Sequence, residues 1–205
     1  MNPAQEQDLK DMRRAAQERD QYQLQFLLKR LLRGMEFYVA LSVSMERASA
    51  FIDIFDSYYP GEPWVRQLLL AINAFGTKPD DTIAEAALSQ KFSAPGAGNY
   101  LKAVYDITQA MNSNHTLDAR IGFLASAVVN EIMAELAEAY YGDREDDWQR
   151  VRANTFDPET GEASDPDAAE IAYQFWIAPE TATLDSGLWL EVADSIERKL
   201  QRMKG

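Results

Sequence analysis

An all-α fold, a bundle or orthogonal array of about seven to eight helices with no β-sheet, is what this sequence predicts. Three observations predict it. Apolar residues recur at helical spacing over most of the chain, strand alternation is hard to find, and caps and stops flank the periodic runs. With 205 residues, 46% of them hydrophobic, the chain fits a single α-helical domain, 1–205, able to bury a full core.

Asn2 and Pro3 read as an N-cap and first helical residue, and Gly34 sits where that helix would stop. The segment between them changes character. Up to about Asp20 it is rich in Glu, Gln and Arg, with Leu9, Met12 and Ala16 as its apolar stripe. From Tyr22 onward Leu24, Leu28 and Leu31 make a strong face, joined by Phe26, Leu27 and Leu32. The expectation is one long helix whose second half docks in the core, with residues 1–20 a polar arm that projects or packs on a partner.

Residues 36–59 follow as a helix with Phe37, Leu41, Ser44, Ala48, Phe51, Phe55 and Tyr58 on one stripe, and Ser42, Glu46, Asp53 and Asp56 on the other side. Pro60, Gly61 and Pro63 turn the chain, and a shorter helix spans 64–75, closed by Gly76. Residues 79–90 are expected to be helical, with Asp80 and Asp81 in a first turn where negative charge suits the helix dipole.

Ser93 to Gly98 is a loop, and 99–111 another helix. Thr116 caps the most apolar helix of the second half, which runs to Tyr141 and stops at Gly142. A short helical piece covers about 147–153. Residues 154–167 have neither period nor apolar face and are expected to be a mobile acidic loop. Asp165-Pro166 opens a helix through Ile177. The last helix is placed at about 186–203, with Trp189, Ala193, Ile196 and Leu200 on its stripe and a basic end that complements the dipole.

Composition removes several function classes. There is no cysteine, which excludes thiol catalysis, Cys-ligated metals and disulfides and fits a reducing cytoplasm. One histidine, His115, cannot build two-histidine metal signatures and reads as an ordinary residue flanking a helix start. No Gly-x-Ser-x-Gly element presents a nucleophilic serine. The amino terminus is polar and mixed in charge, so no secretory signal is expected. The longest uncharged runs, such as 67–77, are far shorter than the roughly 20 residues of a membrane span. A net charge of −13 argues against direct binding of nucleic acid or anionic lipid.

That charge is regional. Fifteen of the 33 acidic residues fall between Glu131 and Asp185, against three arginines (Arg144, Arg150 and Arg152), so 3 − 15 = −12 of the −13 lies there. Within it, Glu131, Glu135 and Glu138 are spaced i, i+4, i+7 on one helix face, and Glu191 and Asp194 repeat the idea at i, i+3 on the last helix. Two helices presenting such pairs could hold magnesium ions through carboxylate oxygens and retained waters.

This pattern resembles the all-α nucleoside-triphosphate pyrophosphohydrolases of the MazG and dimeric dUTPase type, which use a Glu-x-x-Glu helix followed by a Glu-x-x-Asp helix. Glu135 and Glu138 keep the first spacing, and Glu191 and Asp194 the second. Glu131 to Glu135 is one residue wider, and the gap to Glu191 is longer than those families show. The resemblance implies magnesium-dependent hydrolysis of a nucleotide, with the ions binding phosphate and activating water. A solvated polar face on each helix is the alternative reading.

Other motifs are weaker. With Asp157 as the first position of a calcium loop, Gly161 and Asp167 fall out of register, so the segment reads as solvated loop. Gly96 to Asn99 precedes a helix bearing Lys102, where backbone N–H groups could hold an anion. Without Gly-x-x-x-x-Gly-Lys-[Ser/Thr], turn chemistry is the reading taken. Aromatics cluster at Tyr58/Tyr59/Trp64, Tyr140/Tyr141/Trp148 and Tyr173/Phe175/Trp176/Trp189.

The function expected from these features is non-enzymatic: a cytoplasmic protein–protein interaction module, an adaptor, regulator or assembly subunit, without a cofactor. Its surface would be acidic and flanked by aromatics, comprising Tyr140, Tyr141, Asp143, Glu145, Asp146, Asp147 and Trp148, and would take a basic partner protein or a second copy. The alternatives are the magnesium-dependent pyrophosphohydrolase, with Glu131, Glu135, Glu138, Glu191 and Asp194 as ligands, and an acidic inhibitor that occupies the basic cleft of a nucleic-acid enzyme.

Overall fold

Polar N-caps and N-terminal prolines open half of the helices, of which ten lie in the described residues, 1–75 and 81–203, of the computed structural model. In chain order they are α1 (Pro3–Glu18), α2 (Gln21–Arg33), α3 (Phe37–Tyr58), α4 (Trp64–Phe75) and α5 (Asp81–Leu88). There follow α6 (Ala97–Met111), α7 (Leu117–Tyr141), α8 (Glu145–Ala153), α9 (Pro166–Ile177) and α10 (Pro179–Arg202). The all-α class is as expected, with more helices than the seven to eight anticipated. Among the described residues the β structure is confined to one isolated bridge, Phe156 to Ala163. Gly76, Pro79 and Asp80, where a helix end and a helix start were expected, lie outside the described residues. No helix among the described residues is long and apolar enough to cross a membrane.

The extra helices have local causes. The expected long first helix breaks at Arg19, which adopts a left-handed conformation (φ 55°), and the Asp20 carboxylate accepts the Gln23 N–H to start α2. A non-glycine residue at positive φ is uncommon, and here it lets α1 and α2 pack side by side. The last helix begins at Pro179 and not near Ser186, because proline serves as a first helical residue.

The segment 1–20 does not project. Its sparse stripe of Leu9, Met12, Ala15 and Ala16 is buried against α2 and α10. Polar bonds fasten the rest: Arg13 reaches Asp194 (2.8 Å) and Glu197 (2.5 Å), Arg30 holds Asp8 (3.0 Å), and the Ser186 hydroxyl donates to the Ala16 carbonyl (2.7 Å). The correction has a simple reason. Two small alanines beside Leu9 and Met12 let the helices approach closely, so a narrow apolar stripe suffices to dock a polar helix.

The most apolar helix, α7, takes the central position and packs against α2, α3, α6, α8 and α10. It buries residues around most of its circumference, from Ile121 to Tyr141. The α6 end of this arrangement depends on Gly96. That residue has φ 76°, and a Cβ built on it would lie 2.3 Å from the Ala134 carbonyl oxygen of α7. Only glycine fits both constraints.

Residues 154–167, expected as a mobile loop, close into a small hydrogen-bonded hairpin. The Asp157 N–H donates to the Glu162 carbonyl (2.8 Å), Ser164 N–H to the Thr155 carbonyl (2.8 Å), and Gly161 turns the tip at φ 72°. Asp157 accepts the N–H groups of Glu159 and Thr160, so its carboxylate serves the turn.

Candidate functional site

The five carboxylates with metal-ligand spacing do not gather into one cluster. Three of them gather around a guanidinium. Arg47, from the buried side of α3, bonds Glu135 on α7 through Nη2 and Glu191 on α10 through Nη1 (3.0 Å). The Arg47 side chain is only 9% exposed, whereas Glu191 is 67% exposed and reaches in from the rim. Glu131 lies one turn before Glu135, is 0% exposed, and neither of its carboxyl oxygens has a hydrogen-bond partner among the described residues.

Electrostatics follow from that burial. Desolvation and the neighbouring Glu135 push the Glu131 carboxyl well above the ordinary carboxylate range, against the pull of Arg47. Burial also raises Glu135, opposed by the charge and hydrogen bond of Arg47. Glu131 thus lies inside the fold facing an ion pair, with its protonated form favoured by burial. Asp194 points to another helix and pairs with Arg13 of α1 (2.8 Å), and Glu138 is half-buried beside Gly142.

These residues do not fit a magnesium site. Hard cations need several ionised oxygens around one point, whereas here the convergence point is filled by the chain's own cation, the Arg47 guanidinium. Among the described residues no group of three or more His, Asp or Glu side chains is arranged to hold a metal. Arg47 is the residue that spacing arguments missed. Its signal was legible: it stands three residues after Ser44 and one before Ala48, on the buried side of an otherwise apolar helix face.

The predicted partner surface divides into a core half and a surface half. Tyr141 is buried and stacks on Phe175 (ring centroids 5.5 Å apart), and burial pushes its phenol up to about 12. Trp148 packs on Tyr141 (5.3 Å) and donates its indole N–H to the Ser93 carbonyl (2.6 Å). Tyr140 is half-buried, with the Arg144 guanidinium 4.2 Å over its ring. Asp143, Glu145 and Asp146 are exposed and Asp147 half-buried, and none has an ion-pair partner among the described residues. Glu145, Asp146 and Asp147 form the first turn of α8, two residues earlier than expected, where their charge complements the dipole.

Exposed aromatics come instead from the end of α9. Tyr173 is 57% exposed, Trp176 41% and Ile177 49%, while their neighbour Phe175 points into the core. Ring contacts run from Trp176 through Phe175 to Tyr140, which Arg144 covers, and Arg144 also faces Glu180 at 3.9 Å. The acidic first turn of α8 and the apolar end of α9 thus flank one junction of α7, α8, α9 and α10. Sequence clustering identified the aromatics but not which of them face outward.

Elsewhere the acidic region is partly neutralised. Arg150 holds Asp165 through two bonds (2.9 and 3.0 Å) and Asp167 at 3.2 Å, tying the hairpin to α8. His115 bonds Gln109 (3.1 Å) and packs on Phe123. No protein-family model, curated protein or solved structure matches this chain.

Proposed function

We propose that this chain is a non-enzymatic protein–protein interaction module, an adaptor, regulator or assembly subunit acting in the cytoplasm, that binds a basic partner at the junction of α7, α8, α9 and α10. One observation carries the reading. Asp143, Glu145 and Asp146 stand exposed and without ion partners among the described residues, at the start of a helix that packs on α9, whose end exposes Tyr173, Trp176 and Ile177. Unpaired surface acids steer a basic partner, and aromatics adjacent to them supply the desolvated contact that holds it. Ring contacts from Trp176 through the buried Phe175 to Tyr140, which Arg144 covers, support reading the two groups together.

The test is a binding measurement on the partner recovered with the tagged full chain, repeated with Asp143→Lys/Glu145→Lys/Asp146→Lys and separately with Trp176→Ala. Affinity should fall with each variant, and should fall as salt is raised, since exposed charges are screened over about 8–10 Å. Charge reversal at Glu159 and Glu162, on the far tip of the hairpin, should leave it unchanged. Binding that ignores both salt and the α8 acids would remove this reading. If the partner is a nucleic-acid enzyme and loses its DNA or RNA on binding, the inhibitor version of the same surface is the correct one. A second copy of the chain is the other occupant, and sedimentation of the wild type against Trp176→Ala separates that case.

A further inference from the structure

A cavity of about 430 Å³ opens between α5, α6, α7 and α8. Its walls are mostly apolar and include Phe92, Tyr105 and Trp148. Among the described residues its charged groups are Lys102 and Arg152, and no carboxylate lines it, although the chain carries a net −13. Two amides, Asn99 and Asn130, complete the polar set.

The cations are not equivalent. Lys102 pairs with Asp106, which lies buried beneath it and accepts a second bond from the Ser126 hydroxyl (2.6 Å). Arg152 bonds only neutral oxygens among the described residues, the Gln90 side chain (3.0 Å) and the Ser89 carbonyl (3.1 Å). The lining and the acid beneath it therefore sum to about one uncompensated positive charge, carried by a planar guanidinium that can engage a carboxylate through two parallel bonds. The first turn of α6, part of the Gly96 to Asn99 segment that the sequence marked as able to face an anion, supplies Gly98 and Asn99 to the same wall.

We propose that this cavity binds a small organic monocarboxylate, with its carboxylate on Arg152 and its flat apolar body between Trp148 and Tyr105. Volume, wall chemistry and charge each contribute. The volume falls in the roughly 300–1,000 Å³ range of small-molecule sites. Aromatic walls suit a planar body, and a lone guanidinium without a carboxylate partner favours a single negative charge over a neutral or cationic head. This site shares α8 with the partner surface, but none of Asp143, Glu145, Asp146, Tyr173, Trp176 and Ile177 lines it.

The experiment is calorimetric titration of the full chain with 2-naphthoate, and in parallel with 2-naphthylmethanol and 2-naphthylmethylamine. Naphthoate should bind saturably, at least about tenfold tighter than the alcohol, with no binding of the amine. Arg152→Gln should weaken naphthoate by about 10- to 100-fold, the value of a charge-assisted bond. Should that variant melt early, Ala87→Phe fills the cavity without touching a charge and should abolish binding at an unchanged melting temperature. Equal affinity for naphthoate and the alcohol overturns the proposal. So does undiminished binding in a folded Arg152→Gln or Ala87→Phe variant, or no saturable binding of naphthoate at millimolar concentration.

Discussion

Arg47 of α3 and Glu135 of α7 form an ion pair inside the helix array, with the guanidinium 9% exposed and the carboxylate 19% exposed. The Arg47 guanidinium sits against the α7 carboxylates whose spacing suggested an inorganic cation. A buried pair of this kind contributes modestly when intact and costs a great deal when halved, because the surviving charge is left without solvent or partner.

Arg47→Met should therefore destabilise the protein by about 3–5 kcal/mol in urea unfolding. Arg47→Met/Glu131→Leu/Glu135→Met, which removes the acids as well, should recover most of that loss. Glu191→Ala breaks only the exposed arm of the network and should cost under about 1 kcal/mol.

Glu131 predicts a pH dependence of definite sign. Its folded-state value is raised above the ordinary 4.5 by burial and by Glu135. Above 4.5 the unfolded chain releases this proton while the folded chain keeps it, so the folded state binds more protons and stability falls as pH rises. The fall continues until the folded-state value is passed and then levels. Denaturant midpoints measured across that window should show the decline, and Glu131→Gln should flatten it. A Glu131→Gln protein with the wild-type slope would show that another group is responsible.

Two glycines at positive φ separate backbone strain from collision. Gly161, on the hairpin tip, has open space where a Cβ would go, so Gly161→Ala should cost only the left-handed penalty of about 1–2 kcal/mol. Gly96→Ala adds a Cβ 2.3 Å from the Ala134 carbonyl oxygen and should cost about 1–3 kcal/mol more. Thermal unfolding of the two variants side by side measures the difference.

Docking of α1 is checked at Met12, which is fully buried between α2 and α10. Met12→Ala should destabilise by about 2–5 kcal/mol, as for any large-to-small change in a core. A projecting arm would tolerate the same change with little effect.

Trp176→Ala should alter stability by less than about 1 kcal/mol, because the ring is 41% exposed, yet weaken partner binding by at least about tenfold if it anchors the α9 surface. Phe175→Ala, its buried neighbour, should behave the opposite way, unfolding the protein at lower denaturant.

Legibility varied with the kind of information each feature needs. Caps and periodic stripes are local, so α7 is framed correctly by Thr116 and Gly142, α9 by Asp165-Pro166, and the buried stripe of α10 by Trp189, Ala193, Ile196 and Leu200. The break at Arg19 was not legible, since a non-glycine residue at positive φ leaves no glycine in the sequence to mark it. The carboxylate spacing on α7 was read correctly as one helix face. What that face meets was hidden, because Arg47 lies 88 residues from Glu135 and 144 from Glu191 along the chain.

The acidic segment and its aromatics show the same division. Sequence by itself determined the helices, their apolar faces and the crowding of −12 between Glu131 and Asp185, because propensity, capping and charge are properties of neighbours along the chain. Only the tertiary structure decided which of those charges are buried, paired or free. It turned Glu131 and Glu135 inward, put Asp165 and Asp167 on Arg150, left Asp143, Glu145 and Asp146 to solvent, and turned Phe175 in and Trp176 out. The physical reason is that a charge's energy depends on the dielectric and the partners around it, and both are set by helices distant in sequence that packing brings together.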